Sequence, residues 1–244
     1  MGDPVPSVGA YGHTPLLTRV AAIIPAWNEA QSIGLVVAAI PRALVDAIIV
    51  VDGGSTDGTA EAARAAGARV VGQERPGYGA ACAAGVRAAA EGGAEVLAFL
   101  DGDYADDPAD LPLVLAPVLA GRADLVLGTR RERGERGALP PHQLVGNRVA
   151  IALIGLLYRR RLRDIGSFRA IRADHLAALG MSQPTYGWPV EMVVKALKRG
   201  YRIAEVPIHY RRRLGRAKVG GTLKGSVLAG YHMLRTIVGH AWKG

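Results

Sequence analysis

The stretch FLDGDYADDPADL, residues 99–111, sets five aspartates (Asp101, Asp103, Asp106, Asp107 and Asp110) within ten residues, directly after an apolar run. In extended backbone, residues i and i+2 point to the same side, so Asp101 and Asp103 can present two carboxylates to one point. Gly102 between them leaves that point open. Two like charges held together are costly unless a cation joins them. A hard divalent ion such as Mg²⁺ or Mn²⁺ takes one or two carboxylates and completes its shell with phosphate oxygens and water. Asp107 has a different character. Followed by Pro108, it reads as a helix N-cap with its first helical residue, and Asp110 then falls in the first turn, where the helix dipole favours it. Asp106 stays open between supporting a metal and solvating the loop.

The elements that must position these groups follow from hydrophobic patterning. Short continuous apolar runs at 20–24, 47–51, 69–71, 96–100 and 125–127 alternate with amphipathic segments near 29–40, 58–66, 79–91 and 108–119. That alternation predicts an α/β fold, a mostly parallel sheet flanked by helices, with Gly67 as an αL cap. Ligands of such sheets bind beyond the carboxyl ends of the strands, where Asp101 and Asp103 fall. In IIVVDGGSTDGT, Asp57 is the expected helix cap, and Asp52, at a strand end, is placed to bind a base or ribose. Glu29 stands just past the first strand. GYGAACAAG begins like a dinucleotide fingerprint but has Cys82 at its sixth position, and no P-loop occurs, which disfavours nicotinamide enzymes and P-loop NTPases.

Composition bounds the rest. A chain of 244 residues can bury a full core, and with one cysteine it can form no internal disulfide framework. The net charge of +9 is unevenly spread: residues 1–110 carry 6 Lys/Arg against 14 Asp/Glu, residues 111–244 carry 24 against 7. So basic a half is expected to meet phosphate. The chain has only two phenylalanines to interleave with its arginines, which argues against a nucleic-acid surface. After Thr129 a polar, arginine-rich loop (TRRERGERGALPPH) leads to two amphipathic segments, at 144–163 and 222–243. Each fits either a helix in a membrane interface or one packed on the sheet. No apolar run reaches the roughly 18 residues of a spanning helix, and the start lacks a signal-peptide core. The expectation is a cytoplasmic protein, peripheral at the inner face of the membrane. Residues 1–18 are expected to form a flexible tail, 19–220 one domain and 221–244 a C-terminal amphipathic helix.

Taken in order, IIPAWNEA, VVDGGSTDGT, ERPGYGAACAAG, FLDGDYADDP, LGTRR, DIGSFRAI and EVPIHYRRRLGRAK resemble the family 2 glycosyltransferases, in the branch of dolichyl-phosphate mannose synthases and bacterial polyprenyl-phosphate glycosyltransferases. The resemblance covers roughly residues 20 to 220. It implies a GT-A fold and an inverting, Mg²⁺- or Mn²⁺-dependent transfer of a hexose from a UDP- or GDP-sugar. By motif, Pro25, Asn28, Glu29 and Asp52 would hold the nucleoside, and Asp101 and Asp103 the ribose or the metal and diphosphate. Arg130 and Arg148 would face an acceptor phosphate, and Arg212, Gly215 and Lys218 fit an element that closes over the diphosphate. The chain departs from the family pattern at Gly53 (often aspartate), Ala105 (glutamine) and Ala217 (serine); without the glutamine, water or Asp106 is left to complete the metal shell.

A phosphate monoester, with its second pKa near about 6, is ionised at neutral pH and can attack an anomeric carbon without a protein base. Arg130, Arg148, Arg169, Arg212 and Lys218 could then orient two anions. This favours a polyprenyl phosphate acceptor. A hydroxyl acceptor is the alternative, and it would need a base, for which the candidates are Glu191 in YGWPVEM and Asp164 in DIGSF.

Overall fold

A computed structural model describes residues 18–215 and 223–241, with side chains from 230 onward in the last segment. Almost all of the expected tail at 1–18, together with Ala217 and Lys218, lies outside the described residues.

Seven strands, β1 (Val20–Ala26), β2 (Ala47–Asp52), β3 (Arg69–Gly72), β4 (Val96–Phe99), β5 (Leu125–Gly134), β6 (Arg169–Arg172) and β7 (Ile203–Tyr210), form one sheet in the order β3-β2-β1-β4-β6-β5-β7. All pairings are parallel except those of β6 with β4 and β5. Eight helices accompany it among the described residues: α1 (Ile33–Ala39), α2 (Thr59–Ala65), α3 (Tyr78–Glu91), α4 (Leu111–Leu119), α5 (Pro141–Tyr158), α6 (Ala173–Leu179), α7 (Trp188–Lys198) and α8 (Leu223–Ala241).

Of the continuous apolar strands, β1, β2 and β4 are buried on both faces, whereas β3, at the sheet edge, is only half-buried. In β1, Ala21 and Ile23 pack with Ile49, Leu97 and Phe99 beneath α3 and α7, while Val20, Ala22 and Ile24 pack on the other side with Val36, Leu111 and Leu115 of α1 and α4. The chain runs outward from β1 to β2 and β3, then returns to β4 on the other side of β1. That reversal opens a crevice beyond the carboxyl ends of β1 and β4, the usual ligand position in such sheets. Asp101 follows β4 at this point.

Two expectations are corrected. TRRERG is not loop: it extends β5 to Gly134, paired with β7 as far as Tyr210, with a register shift between Thr129 and Arg133. Four residues advance on β5 against two on β7, so the segment 130–132 bulges from the ladder. The expected helix at 144–163 runs instead from Pro141 to Tyr158. Arg159 ends it with φ 54°, and Leu162 and Asp164 turn inward and are buried. The glycines of GYGAACAAG serve packing. A Cβ on Gly79 would stand 2.0 Å from the Gln183 carbonyl oxygen, so the pair Gly77 and Gly79 lets the 183–185 loop lie directly on the start of α3.

Candidate active site

The crevice opens into a cavity of about 1050 Å³, large enough for a nucleoside diphosphate sugar. Pro25, Glu29, Asp101, Asp103, Arg130 and Arg212 all line it. Carboxylates from the ends of β1 and β4 thus face arginines carried by β5 and by the segment after β7.

Asp101 accepts from the Tyr78 hydroxyl (3.2 Å) and from Ser167 Oγ (2.8 Å). Asp103 Oδ1 is held by the Ala105 amide at 3.0 Å, while Oδ2 lies 3.5 Å from Arg213. Asp106, only 1 % exposed, contacts Ser167 Oγ at 3.2 Å through Oδ2, and its Oδ1 has no hydrogen-bond partner. Ser167 has one hydroxyl proton and touches two carboxylates, so one of those contacts needs a proton from the acid side. The electrostatics agree. Burial, reinforced by the charge of Asp103, pushes Asp101 up to about 6, and burial with the charges of Asp101 and Asp103 pushes Asp106 up to about 8.

These residues fit a hard dication. Three carboxylates crowd a buried site, one buried oxygen lacks a partner, and Asp103 faces the cavity. Among the described residues no three His, Cys, Asp or Glu side chains form a ready-made metal cage, so an ion here would have to draw the rest of its shell from phosphate and water.

Raised carboxyl pKa values mean that the folded chain binds these protons more tightly than the unfolded chain does. Their contribution to stability is therefore greatest in acid and is lost as pH rises through about 6 and then about 8. In chelator, the melting temperature is expected to fall between about pH 4 and 8 and to level off above, with Mn²⁺ restoring more at the alkaline end. In Asp106→Asn the fall should end near pH 6 instead of continuing to about 8. Thermal unfolding across pH, with and without Mn²⁺, checks this; an Asp106→Asn profile parallel to that of the parent would refute it.

Arg130 is fixed by Asp164, which accepts from its Nε (2.8 Å), its Nη2 (2.7 Å) and its backbone amide (2.9 Å). Asn147 of α5 also donates to Asp164 (2.8 Å). Burial opposes the charge on Asp164, but the Arg130 hydrogen bonds and charge hold its carboxyl below the usual range. Glu29 donates its amide to Thr59 Oγ1 at 2.7 Å and accepts from Arg213 Nη2 on its Oε1 at 2.8 Å. Arg213 thus spans Glu29 and Asp103. Gly215 follows, beside Glu29, with φ 78° that only glycine adopts without strain.

Other expected site residues lie elsewhere. Asn28, at φ 53°, ties the first strand loop to the second: its amide donates to Ser55 Oγ (2.8 Å) and its Oδ1 accepts from Thr56 N (2.9 Å). Asp52 has both oxygens on the Ser55 amide, at 3.2 and 3.3 Å. A Cβ on Gly53 would meet Trp27 Cβ at 3.2 Å, so Trp27 crowds the place where a second aspartate would stand. Arg148 sits on α5 in a separate pocket and does not line the central cavity. Arg169 does not line the central cavity either. It is 1 % exposed in β6 and donates to the carbonyls of Gly166, Ser167 and Pro189, because the start of α7 and the 166–167 turn cover it.

Glu191 is fully buried and accepts from Ser182 Oγ (2.6 Å), the Ser182 and Gln183 amides and Lys195 Nζ (2.7 Å), which together hold its carboxyl low against the effect of burial. It fastens the 182–185 loop to α7. Glu191→Gln is accordingly expected to destabilise the fold by roughly 2–4 kcal/mol while turnover per folded molecule stays within a few fold. Chemical denaturation paired with active-fraction kinetics separates the two; a large rate loss at unchanged stability would assign Glu191 to chemistry instead.

Sequence reading missed Ser167, Tyr78 and Arg213. Ser167 and Tyr78 reach Asp101 only through long-range packing, and Arg213 is one of three consecutive arginines that look alike in sequence.

Comparison with known proteins adds four findings. A model described as glycosyl transferase family 2 matches residues 21–180. An uncharacterized glycosyltransferase of Mycobacterium tuberculosis is 39 % identical over 214 residues, spanning 86 % of this chain and 94 % of that protein. An undecaprenyl-phosphate mannosyltransferase of Micrococcus luteus is 34 % identical over 243 residues, covering 93 % and 97 % of the two chains. Among solved structures, glucosyl-3-phosphoglycerate synthase from Mycobacterium tuberculosis, crystallised with Mn²⁺, UDP and phosphoglyceric acid, superimposes with a TM-score of 0.76 at 26 % identity, over 92 % of this chain and 79 % of that one.

Proposed function

Because the chain belongs to glycosyl transferase family 2 and has the GT-A fold of a glycosyltransferase, we propose that it moves a hexose, with inversion, from a nucleoside diphosphate sugar to a polyprenyl phosphate. Mg²⁺ or Mn²⁺ would be held at Asp101 and Asp103. The observation that carries this reading is the polarity of the cavity, acidic at the ends of β1 and β4 and basic at Arg130 and Arg212.

In this reading Pro25, Glu29 and the Asn28-tied loop border the nucleoside, and Asp101 and Asp103 bind the dication. When bound, that ion supplies Lewis-acid stabilisation of the departing diphosphate. The protein does the rest. Arg130, preset by Asp164, orients the acceptor phosphate in line with the anomeric carbon, and Arg212, with Lys218 beyond it in sequence, offsets the charge that grows on the leaving group. The acceptor oxygen is already ionised, so no protein group has to take a proton from it.

The state of the two candidate bases supports this choice. Asp164 is spent on Arg130 and Glu191 on Lys195 and Ser182. A hydroxyl acceptor retains one observation in its favour, the phosphoglyceric acid in the related crystal structure. Contact with a membrane is supported by the outer faces of two helices. Val145, Val149 and Leu156 of α5 are exposed, as are Tyr231, Leu234 and Val238 of α8, whereas Ala150, Ile154 and Ile237 face inward. Among the described residues no helix is long and apolar enough to cross a membrane, so these stripes suit helices lying in its interface.

The test is a product-mass assay over a panel of UDP- and GDP-hexoses with Mn²⁺, offering polyprenyl phosphate and 3-phosphoglycerate in parallel. Hexosyl polyprenyl phosphate as the main product is expected. Transfer to 3-phosphoglycerate alone would give the reaction to the hydroxyl class.

A further inference from the structure

A second pocket, of about 540 Å³, lies on the outer side of α5 and shares none of its lining with the central cavity. The β5 bulge creates it. By turning 130–132 out of the ladder, the bulge sends Arg130 into the central cavity and Arg131 into the outer one, with the Arg130–Asp164 pair as part of the wall between them. Arg131, Arg148 and Arg163 line this pocket over a floor of Ile151, Ala152 and Leu162.

Its charge is left uncompensated. The nearby acid, Glu132, is engaged by Thr129 Oγ1 at 2.8 Å and by Arg163 at 3.6 Å, and Asp164 belongs to Arg130. The side chains of Arg131 and Arg148 have no hydrogen-bond or ion-pair partner among the described residues, and both residues are exposed. The pocket is also continuous with the apolar stripe of α5. Val145, Val149, Ala152 and Leu156 recur at helical spacing on one exposed face; Arg148 flanks that face, and Ala152 belongs to both the stripe and the pocket. A ligand here must therefore be anionic at one end and apolar beside it. It must also be reachable when the stripe rests on a bilayer.

The geometry points to a binding site for the phosphate headgroup of an anionic phospholipid. The two free guanidinium groups take the phosphodiester, and the glycerol and first acyl carbons lie on Ile151 and Ala152. Such a site would fix how the protein sits on the bilayer and hold the mouth of the central cavity at the depth of a lipid-borne acceptor. The inference rests on the reading of α5 as an interfacial helix but not on the transfer reaction. Its test therefore contains neither donor nor polyprenyl phosphate.

Full-length protein is partitioned onto phosphatidylcholine vesicles with and without phosphatidylglycerol at fixed ionic strength, and thermal unfolding verifies that each variant is folded. Interfacial arginines contribute roughly fivefold each to binding of anionic vesicles. The double variant Arg131→Gln/Arg148→Gln is expected to lose at least tenfold on vesicles containing phosphatidylglycerol and little on phosphatidylcholine alone. A control of equal charge, Arg122→Gln/Arg199→Gln, removes exposed arginines at the opposite end of β5 and β7 and should lose less than twofold. Equal losses from the two double variants would reduce the site to diffuse attraction and overturn the proposal. So would displacement from vesicles by millimolar inorganic phosphate at matched ionic strength, which would make the ligand a soluble anion.

Discussion

Asp103→Asn is expected to lower turnover by about three orders of magnitude and to remove tight Mn²⁺ binding without lowering the stability of the metal-free protein. Asparagine keeps the volume and can still accept the Ala105 amide, so the turn after β4 survives. What disappears is one of the two carboxylates that line the cavity after β4. The charge of Asp103 helps to raise Asp101, so its loss relieves repulsion in the empty enzyme and lets Asp101 ionise more readily. The signature is therefore a split: far slower catalysis, no Mn²⁺ signal by titration in electron paramagnetic resonance, and a melting temperature equal to or above that of the parent. Turnover within tenfold of the parent would mean that Asp103 holds no ion.

Asp164→Ala should act in the opposite way, chiefly on the fold. Asp164 is 1 % exposed and satisfies the Arg130 guanidinium, two backbone amides and Asn147. Removing one partner of a buried ion pair costs about 3–5 kcal/mol, because the other charge stays desolvated and unpaired. In a chain of this size that lowers the melting temperature by on the order of 10 °C. Turnover per folded molecule should fall as well, since Arg130 loses the contact that orients it. If Asp164 were instead a base for a hydroxyl acceptor, Asp164→Asn would remove the rate and flatten its pH profile while leaving stability nearly intact. Denaturation curves and pH–rate profiles of the two variants distinguish these cases.

The half of the fold that was legible in sequence is the half whose strands are buried on both faces. Runs such as AAIIP and IIVVD can be little else in a chain that alternates them with amphipathic segments, and they form β1 and β2 as expected. β5 beyond Thr129 was not legible, because RRERG has the polarity of a loop and pairs only with β7, across a bulge. The antiparallel insertion of β6 could not be read from local pattern either. That insertion decides the fate of Arg169: it sets the side chain under α7 and buries a group which composition alone assigns to phosphate.

The same division runs through the site. The position of Asp101 and Asp103 at the cavity was readable because their spacing is local, and so was the Asp107 cap, which accepts from Ala109 N at 3.1 Å. Asp110 was expected only to complement a helix dipole, yet it holds the backbone and ring of His209 on β7. Arg148 and Arg130 were indistinguishable in sequence as acceptor-facing cations. Only the direction of α5 and the β5 bulge separates them into two pockets.

The central claim is that the carboxylates after β4 share a divalent ion with the diphosphate of a sugar donor. Anomalous diffraction from crystals grown with Mn²⁺ and a nucleoside diphosphate sugar tests it most directly. The predicted result is one strong peak about 2.0–2.3 Å from a carboxylate oxygen of Asp103 or Asp101 and from donor phosphate oxygens. A donor bound in the cavity with its manganese away from both aspartates, or with none bound while the crystals still turn over, would contradict it.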